Sequence, residues 1–362
     1  MKKEQMQMFL ILAVTCITLQ ACKKIDKVEI SAPETSQAET ETETETETPE
    51  ESREGMVRSY LTGLWVDEAI GISRPIAVML SNEKVACPQS GINAADIVYE
   101  IPVEGGTNRF MGIFENYADL KKIGSVRSAR TYYVYFAKEF EAILVHYGQS
   151  KFAEPYIATA NCDNLNGVEG IGATVYYRTS DRKAPHNAYA SAEGILKGIE
   201  KKGYSMDYPS NYEGHFQFAK EENSVNLTNG QAAAKLTLGY VINKPWFEYN
   251  KEDGLYYRFQ YGAAQIDTED QKQITCKNII IQYISNTYYA NTEYLDIDLQ
   301  SGGQGKYITN GEIIDITWEK KTEWGITKYY DASGAEIELN PGKTWVCLVP
   351  VSRLEYLEIS GE

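Results

Sequence analysis

Histidine is scarce in this sequence, since the 362 residues include only three, at positions 146, 186 and 215. Zinc and related metals are held by ligands at short recurring spacings such as HxH or HxxxH, and neither spacing occurs. Asp181 and His186 with a glutamate are the nearest approach to a ligand set. We therefore predict no metal site.

Phosphate-binding and nucleophile motifs are also missing. There is no P-loop and no dinucleotide fingerprint, and the glycine-rich stretch 302–305 reads as a loop between strands. Ser150 follows Gly148 and Gln149, but residue 152 is Phe, so it is not a GxSxG nucleophile elbow. No cofactor is predicted, and whether the protein is an enzyme stays open.

The sequence lacks a basic excess. Its net charge is −16, of which residues 23–55 supply 4 − 11 = −7 from four basic and eleven acidic residues. The remainder of the chain is mildly acidic, which argues against a nucleic-acid partner because such partners require a basic surface.

The cysteines are too few and too widely spaced for a disulfide-rich fold. Cys16 and Cys22 lie in the N-terminal leader, and the other four, Cys87, Cys162, Cys276 and Cys347, are widely spaced without any CxxC motif. We expect scattered, mostly buried thiols and do not predict a disulfide.

The N-terminus has the pattern of a secretory leader. Lys2 and Lys3 precede an apolar run, residues 6–19, that is too short for a comfortable membrane span. The stretch 19–22, Leu-Gln-Ala-Cys, resembles a bacterial lipobox. That resemblance implies a signal peptide over 1–22, acylation of Cys22, and a lipid anchor on the extracytoplasmic face of the cell membrane. An uncleaved anchor helix is the alternative.

Residues 23–57 are predicted to be a disordered acidic linker. Glu and Thr alternate over 39–47 with no apolar side chain to bury, and the like charges extend the chain. We expect it to hold the folded part away from the membrane.

Two domains of an α+β protein are predicted after the linker. In residues 58–215, strand-like runs (75–80, 95–101, 110–114 and 142–146) alternate with helical segments, which predicts a mixed α/β domain with a mixed sheet. A helix is expected from about Ser191 to Lys202, with Ser191 as N-cap and Gly203 after its end. Residues 216–362 carry short β-type runs separated by Gly, Asn and Asp, which predicts a smaller β-rich domain.

Polar residues gather at strand ends and loops of the first domain, where α/β folds place ligands. Within the stretch 123–140, a Gly-Ser turn is predicted to lead into a helix whose first residues carry two arginines, Arg127 and Arg130. Cations are unfavourable at a helix N-terminus, so an acidic side chain or a bound anion should compensate them. The predicted ligand-binding residues are Glu100, Glu104, Arg109, Arg127, Arg130, His146, Arg182, His186 and Asn187. His146, His186 and Glu104 are the candidates for catalysis. A purely structural ion-pair network or a solvated loop is the alternative for each.

Several long motifs, in order, resemble the YerB-like bacterial lipoproteins, a mainly Gram-positive family with an N-terminal and a C-terminal domain. They include Pro88-Gln-Ser-Gly-Ile-Asn-Ala-Ala-Asp-Ile-Val-Tyr-Glu100, Val103-Glu-Gly-Gly-Thr-Asn-Arg-Phe110, Ile123-Gly-Ser-Val-Arg-Ser-Ala-Arg130 and Asn340-Pro-Gly-Lys-Thr-Trp345. The resemblance covers nearly everything after the linker. It implies a surface lipoprotein and supplies no reaction.

Three functions remain open at this point. The favoured one is an envelope lipoprotein whose N-terminal domain binds an anionic ligand, with a cell-wall component or an envelope protein as partner. The second is an envelope enzyme acting on phosphorylated, polyprenyl-linked wall precursors, similar to LytR-type phosphotransferases by analogy only. In it, the arginines would clamp phosphate and a histidine would move a proton. The third is a hydrolase that uses Glu100 and Glu104.

Overall fold

A computed structural model describes residues 53–220, 223–227 and 229–361. The predicted signal peptide with Cys22, and residues 23–52 of the predicted linker, lie outside the described residues. The first described strand begins at Met56, so it includes the last two residues of the predicted linker, 56 and 57.

Most regular structure is β. The first ten strands are β1 (Met56–Arg58), β2 (Trp65–Asp67), β3 (Ile76–Ser81), β4 (Ile97–Pro102), β5 (Asn108–Phe114), β6 (Ile123–Gly124), β7 (Ile143–His146), β8 (Asn164–Asn166), β9 (Tyr176–Arg178) and β10 (Ala188–Ala190). The next eight are β11 (Gln217–Phe218), β12 (Gln231–Ala232), β13 (Lys235–Thr237), β14 (Trp246–Asn250), β15 (Leu255–Gln260), β16 (Ala263–Ala264), β17 (Thr275–Cys276) and β18 (Asn278–Tyr288). The last seven are β19 (Leu295–Asp298), β20 (Gly303–Thr309), β21 (Glu312–Glu319), β22 (Lys328–Tyr330), β23 (Glu338–Leu339), β24 (Thr344–Pro350) and β25 (Glu358–Ser360).

The helices are short. They are α1 (Glu68–Gly71), α2 (Thr131–Glu139), α3 (Glu154–Ile157), α4 (Gly172–Val175) and α5 (Ala192–Lys202). No helix in the described ranges is both long enough and apolar enough to cross a membrane. Ser191 caps α5 as predicted, because its Oγ accepts a hydrogen bond from the Gly194 N–H at 3.2 Å, and Gly203 follows with φ +70°.

One mixed sheet of twelve strands organises the molecule. Its strands follow the order β12-β21-β20-β18-β24-β4-β5-β3-β7-β8, with β19 and β22 attached at β18 and β21. β24 pairs in parallel with both β4 and β18, so strands from the two predicted domains share a continuous sheet. The predicted α+β class and mixed sheet are confirmed in this outline. The domain boundary at residues 215 and 216 stays a prediction.

Both faces of this sheet are covered, which explains the continuous apolar run of β3. Successive side chains of a strand point to opposite faces. Ile76, Val78 and Leu80 therefore enter one core, and Ala77 and Met79 enter the other. All six residues of β3 are buried, as in strands that are packed on both sides.

The helix predicted after the Gly-Ser turn at 124–125 begins later than expected. This helix, α2, begins at Thr131 with Arg130 as N-cap, and Arg127 lies in an extended segment. The cause is tertiary: the N–H groups of Val126, Arg127 and Ala129 donate to Ala188 O, Met79 O and Gly148 O. The ends of neighbouring strands therefore take the backbone donors of this segment.

All four cysteines in the described ranges, Cys87, Cys162, Cys276 and Cys347, are free thiols. Cys162, Cys276 and Cys347 are buried. Within the same ranges, no group of three or more His, Cys, Asp or Glu side chains is arranged to hold a metal ion.

Candidate functional site

The candidate site lies where several strands of the large sheet end. β3, β4 and β7 run in the same direction and β5 runs against them, so the carboxyl ends of three strands and the start of β5 meet at one edge. The extended segment 125–130 crosses this edge between β3 and the residues that follow β7. Loops at such an edge are where α/β folds bind ligands.

Arg130 is neutralised by Glu104. Its Nε donates to Glu104 Oε2 at 3.0 Å and its Nη2 donates to Oε1, a two-point pair in a half-buried position. Burial alone would raise the pKa of Glu104, but the hydrogen bonds and charge of Arg130 outweigh it and lower that pKa below 4.5. The ring of Tyr294, from the loop between β18 and β19, lies 5.2 Å from the Arg130 guanidinium.

Arg127 contacts Glu83 and His186. Its Nη2 lies 3.1 Å from Glu83 Oε1, and its Nη1 lies 3.0 Å from His186 Nδ1. Because arginine only donates, Nδ1 accepts and the imidazole proton sits on Nε2, which lies 3.7 Å from Glu83 Oε2. Burial, with the charges of Arg127 and Arg182, lowers the pKa of His186 below 6.5 despite Glu83. His186 is therefore neutral at pH 7.

Glu83 was not among the residues selected from the sequence. It lies two positions after Ser81, the last residue of β3. The strand-end criterion that selected Glu104 after β4 applies to it equally, so a sequence signal for Glu83 existed.

Arg109 has no carboxylate of its own. It is the second residue of β5 and is 5% exposed. In the described part of the chain, the one hydrogen-bond acceptor of its guanidinium is Ser128 O, at 2.5 Å from Nη1. A guanidinium carries five N–H donors, so most of them are left over. Burial, and then the charges of Arg130 and Arg127, lower the pKa of Arg109 from 12.5 to about 10.

These six residues, Arg109, Arg127, Arg130, Glu83, Glu104 and His186, form what we call the arginine cluster. It contains three guanidinium groups, two carboxylates and one neutral imidazole, so its charge is 3 − 2 = +1. Such a cluster can accept an anion at the surplus guanidinium donors. The imidazole of His186 can accept a proton at Nδ1 only when Arg127 leaves that atom, because Nε2 already carries a proton.

Arg182 and Asn187 hold the surrounding loops. Arg182 donates to Ala86 O, Pro88 O and the Tyr189 hydroxyl at 2.7–2.9 Å. The Asn187 side chain donates to Thr179 O and accepts from Arg178 Nη1. Both side chains thus shape the approach to His186 rather than adding free donors to the cluster.

Glu100 and His146, also selected from the sequence, are fully buried with partners inside the protein. Glu100 pairs with Arg258 at 2.7 Å and accepts hydrogen bonds from Asn108 and Asn243. The His146 ring nitrogens face Gly148 O at 2.8 Å and Asn164 Oδ1 at 3.2 Å. The cluster defined above therefore does not include them.

Comparison with known proteins gives a consistent result. The family described as "Protein of unknown function (DUF3048)" matches with its N-terminal domain over residues 61–205 and with its C-terminal domain over residues 236–346. A Bacillus subtilis (strain 168) protein described as "Putative lipoprotein YerB" is 33% identical over 296 residues, which cover 81% of this chain and 86% of that protein. The crystal structure of the YerB protein from Bacillus subtilis superposes with a TM-score of 0.73 at 31% identity, covering 84% of this chain and 99% of that chain. This chain belongs to the YerB-like DUF3048 family, as its motifs predicted.

Proposed function

We propose that this chain is a lipoprotein, held on the outer face of the bacterial cell membrane by an acyl anchor on Cys22, whose arginine cluster binds a phosphate-bearing component of the envelope. The anchor is supported by the lipobox-like stretch at residues 19–22 and by the lipoprotein description of the Bacillus subtilis relative. Two acyl chains hold a protein stably where one does not.

The anion site rests on one observation: the buried guanidinium of Arg109 forms no ion pair in the described part of the chain, although the charge of Glu104 acts on it from further away. Glu104 forms an ion pair with Arg130, and Glu83 forms one with Arg127. No carboxylate in the described part of the chain pairs with Arg109. Taking a cation out of water is costly unless an opposite charge accompanies it. A bound anion would supply that charge.

Phosphate suits the remaining donors because it presents more acceptor oxygens than a carboxylate does. Planar guanidinium groups bind phosphate through two parallel hydrogen bonds, and two of the three arginines already hold carboxylates. A doubly charged phosphate would leave the cluster with one negative charge, which the exposed edge of the site can hydrate.

The test uses the full chain in detergent and measures thermal unfolding in pyrophosphate, phosphate and chloride at equal ionic strength. A ligand that binds only the folded state stabilises it by RT ln(1 + [L]/Kd), so pyrophosphate at about ten times its Kd adds about 1.4 kcal/mol. Arg109→Gln should abolish this gain. Arg353→Gln, a change at the other end of the chain, should leave it intact. An equal response of the Arg109 variant and the unaltered chain would disprove binding at this cluster.

A second candidate, an enzyme acting on phosphorylated wall precursors, draws on His186. Its neutral imidazole accepts a hydrogen bond from Arg127 at 3.0 Å through Nδ1. A bound phosphate that draws Arg127 away would free this nitrogen to take a proton from the attacking group. Phosphorus NMR of a polyprenyl diphosphate sugar incubated with the chain distinguishes the two. A new phosphorus signal that His186→Asn abolishes would support the enzyme, and binding without any new signal would support a receptor.

The anchor is tested separately. We expect Cys22→Ala to lose incorporation of labelled palmitate and to leave the membrane fraction of producing cells, while Cys16→Ala keeps both. Membrane retention and labelling of the Cys22 variant would contradict the proposed lipidation.

A further inference from the structure

A short stretch of the large sheet has an unused edge. On its outer side, β21 pairs with β12 through residues 312–313 and with β22 through residues 317–319. Residues 314–316 lie between these two pairings and, in the described part of the chain, pair only with β20. We call this three-residue stretch the edge gap.

The backbone of Asp315 faces outward in this gap. Asn310 and Gly311 form a two-residue turn between β20 and β21, so the flanking pair Thr309 and Glu312 exchanges hydrogen bonds. Alternate residues of an antiparallel strand face opposite neighbours. The backbone N–H and C=O groups of Glu312, Ile314 and Ile316 therefore point toward β20. Those of Asp315 point into the gap.

The chain segments on both sides of the gap stay at its two ends. Before β12, the Leu227 N–H donates to Glu312 Oε2 at 3.0 Å, which holds that segment at the Glu312 end of β21. After β22, the side chain of Asp331 accepts the N–H groups of Ser333 and Ala335, which turns the chain away at the other end. Between the paired residues 313 and 317 the strand spans about 13 Å, room for three or four extended residues.

A cavity of about 850 Å³ adjoins the gap. Apolar side chains on its wall include Val225, Leu227, Ile314 and Ile337. This is within the volume range of ordinary ligand sites.

Carboxylates dominate the charge of the cavity lining. Asp315, Asp331, Glu336 and Glu338 line it together with a single lysine, Lys306. Lys306 pairs with Asp315 at 2.6 Å, and Lys328 pairs with Glu336 at 2.6 Å. Asp331 and Glu338 are left as surplus negative charge.

We propose that the edge gap and its cavity bind an extended peptide segment that carries a positive charge. The segment adds a short strand to β21 through the backbone of Asp315. An apolar side chain of the segment enters the cavity, and its cationic group pairs with the surplus carboxylates. The Glu/Thr stretch of this same chain, residues 39–47, is excluded as the occupant because its charge has the same sign as the rim.

The test measures binding of fluorescent pentapeptides to the full chain in detergent by anisotropy. The probe is acetyl-Lys-Val-Thr-Val-Lys-amide. Two matched peptides replace both lysines by glutamate, or carry a methyl group on the backbone nitrogen of the central Thr. We expect the basic peptide to bind and the acidic one to bind at least about fivefold more weakly. The methylated peptide should also bind about two- to tenfold more weakly, because it cannot make the strand hydrogen bond.

Variants of the chain locate the contact. Asp315→Pro removes the outward N–H at an edge position that tolerates proline. It should weaken binding of the basic peptide at least about fivefold. Glu338→Gln should weaken it about two- to fivefold, whereas the exposed control Glu200→Gln on α5 should not. Should Asp315→Pro fail to fold, the methylated peptide on the unaltered chain gives the same information.

The proposal would be overturned by no binding of the basic peptide at millimolar concentration, by equal binding of the basic and methylated peptides, or by equal binding of the basic and acidic ones. Self-association of the chain that the basic peptide does not disrupt would also overturn it, because a second copy would then occupy the edge.

Discussion

Glu104 accepts two hydrogen bonds from the guanidinium of Arg130, and this pair decides how the charge of the arginine cluster is balanced. Arg130 is the N-cap of α2, where a cation is unfavourable for the helix dipole. Glu104 offsets that disadvantage from another loop. The pair also leaves Arg109 as the arginine without a carboxylate, which is the basis of the proposed anion site.

Glu104→Gln should leave a second guanidinium, that of Arg130, without a paired carboxylate. We expect the free energy of unfolding in chloride to fall by roughly 1–3 kcal/mol, between the values for exposed and buried pairs. Pyrophosphate should restore most of that loss, because the cluster then carries one more uncompensated guanidinium. Thermal unfolding in the two anions measures both effects. A loss that no anion recovers would mean that the cluster is structural only.

Glu115 should make the protein less stable as pH rises. It is 6% exposed, and burial, followed by the charge of Asp96, raises its pKa from 4.5 to about 7. The folded state holds this proton more tightly than the unfolded state does. The contribution of Glu115 to the free energy of unfolding is therefore fully present below pH 4.5 and is lost as pH rises to about 7. The loss is about 3 kcal/mol at most.

Urea unfolding of Glu115→Gln between pH 4.5 and 8 checks this expectation. The variant should match the unaltered chain at pH 4.5 and exceed it at pH 8, whereas exposed Glu200→Gln should follow the unaltered chain throughout. A variant that is less stable at both pH values by the same amount would rule out the titration of Glu115 as the cause.

Glu100 should matter for folding rather than for binding. Its carboxylate pairs with Arg258, and both side chains are fully buried, with the Trp345 Nε1–H donating to the same oxygen at 3.1 Å. Glu100→Gln leaves a buried guanidinium unpaired and should cost about 3–5 kcal/mol. The matched exposed pair, tested by Glu248→Gln, should cost less than about 1 kcal/mol. Urea unfolding measures both, and similar losses would contradict a structural role for Glu100.

The two predicted domains should depend on each other. Glu139 of α2 accepts hydrogen bonds from Lys320 and Thr327, in the second half of the chain, and all of these groups are buried. Removing residues 216–362 leaves that buried carboxylate with His215 as its one remaining ionisable partner in the described part of the fragment, and exposes the edge of β4 that β24 covers.

We therefore expect fragments 53–215 and 216–362 to show no cooperative thermal unfolding by circular dichroism when alone, and to regain it when mixed. A cooperative transition of fragment 53–215 alone would establish the predicted boundary as that of an independent domain.

Local sequence patterns predicted several elements correctly. The apolar run of β3 and the cap of α5 at Ser191 depend on neighbours in the sequence, so they could be read directly. The start of α2 could not. Whether residues 125–130 form helix or extended chain depends on acceptors such as Met79 O and Ala188 O, which are distant in the sequence.

By itself, the sequence determined the family, the mixed sheet and the region of the chain that carries the arginine cluster, because motifs and hydrophobic periodicity are local properties. Only the tertiary structure decided which charges meet. Glu104 and Glu83 reach Arg130 and Arg127, while Glu100 turns into the core towards Arg258, and Arg109 is left with a carbonyl oxygen. The physical reason is that charge pairing depends on distances of a few ångströms between loops whose separation in the sequence carries no such information.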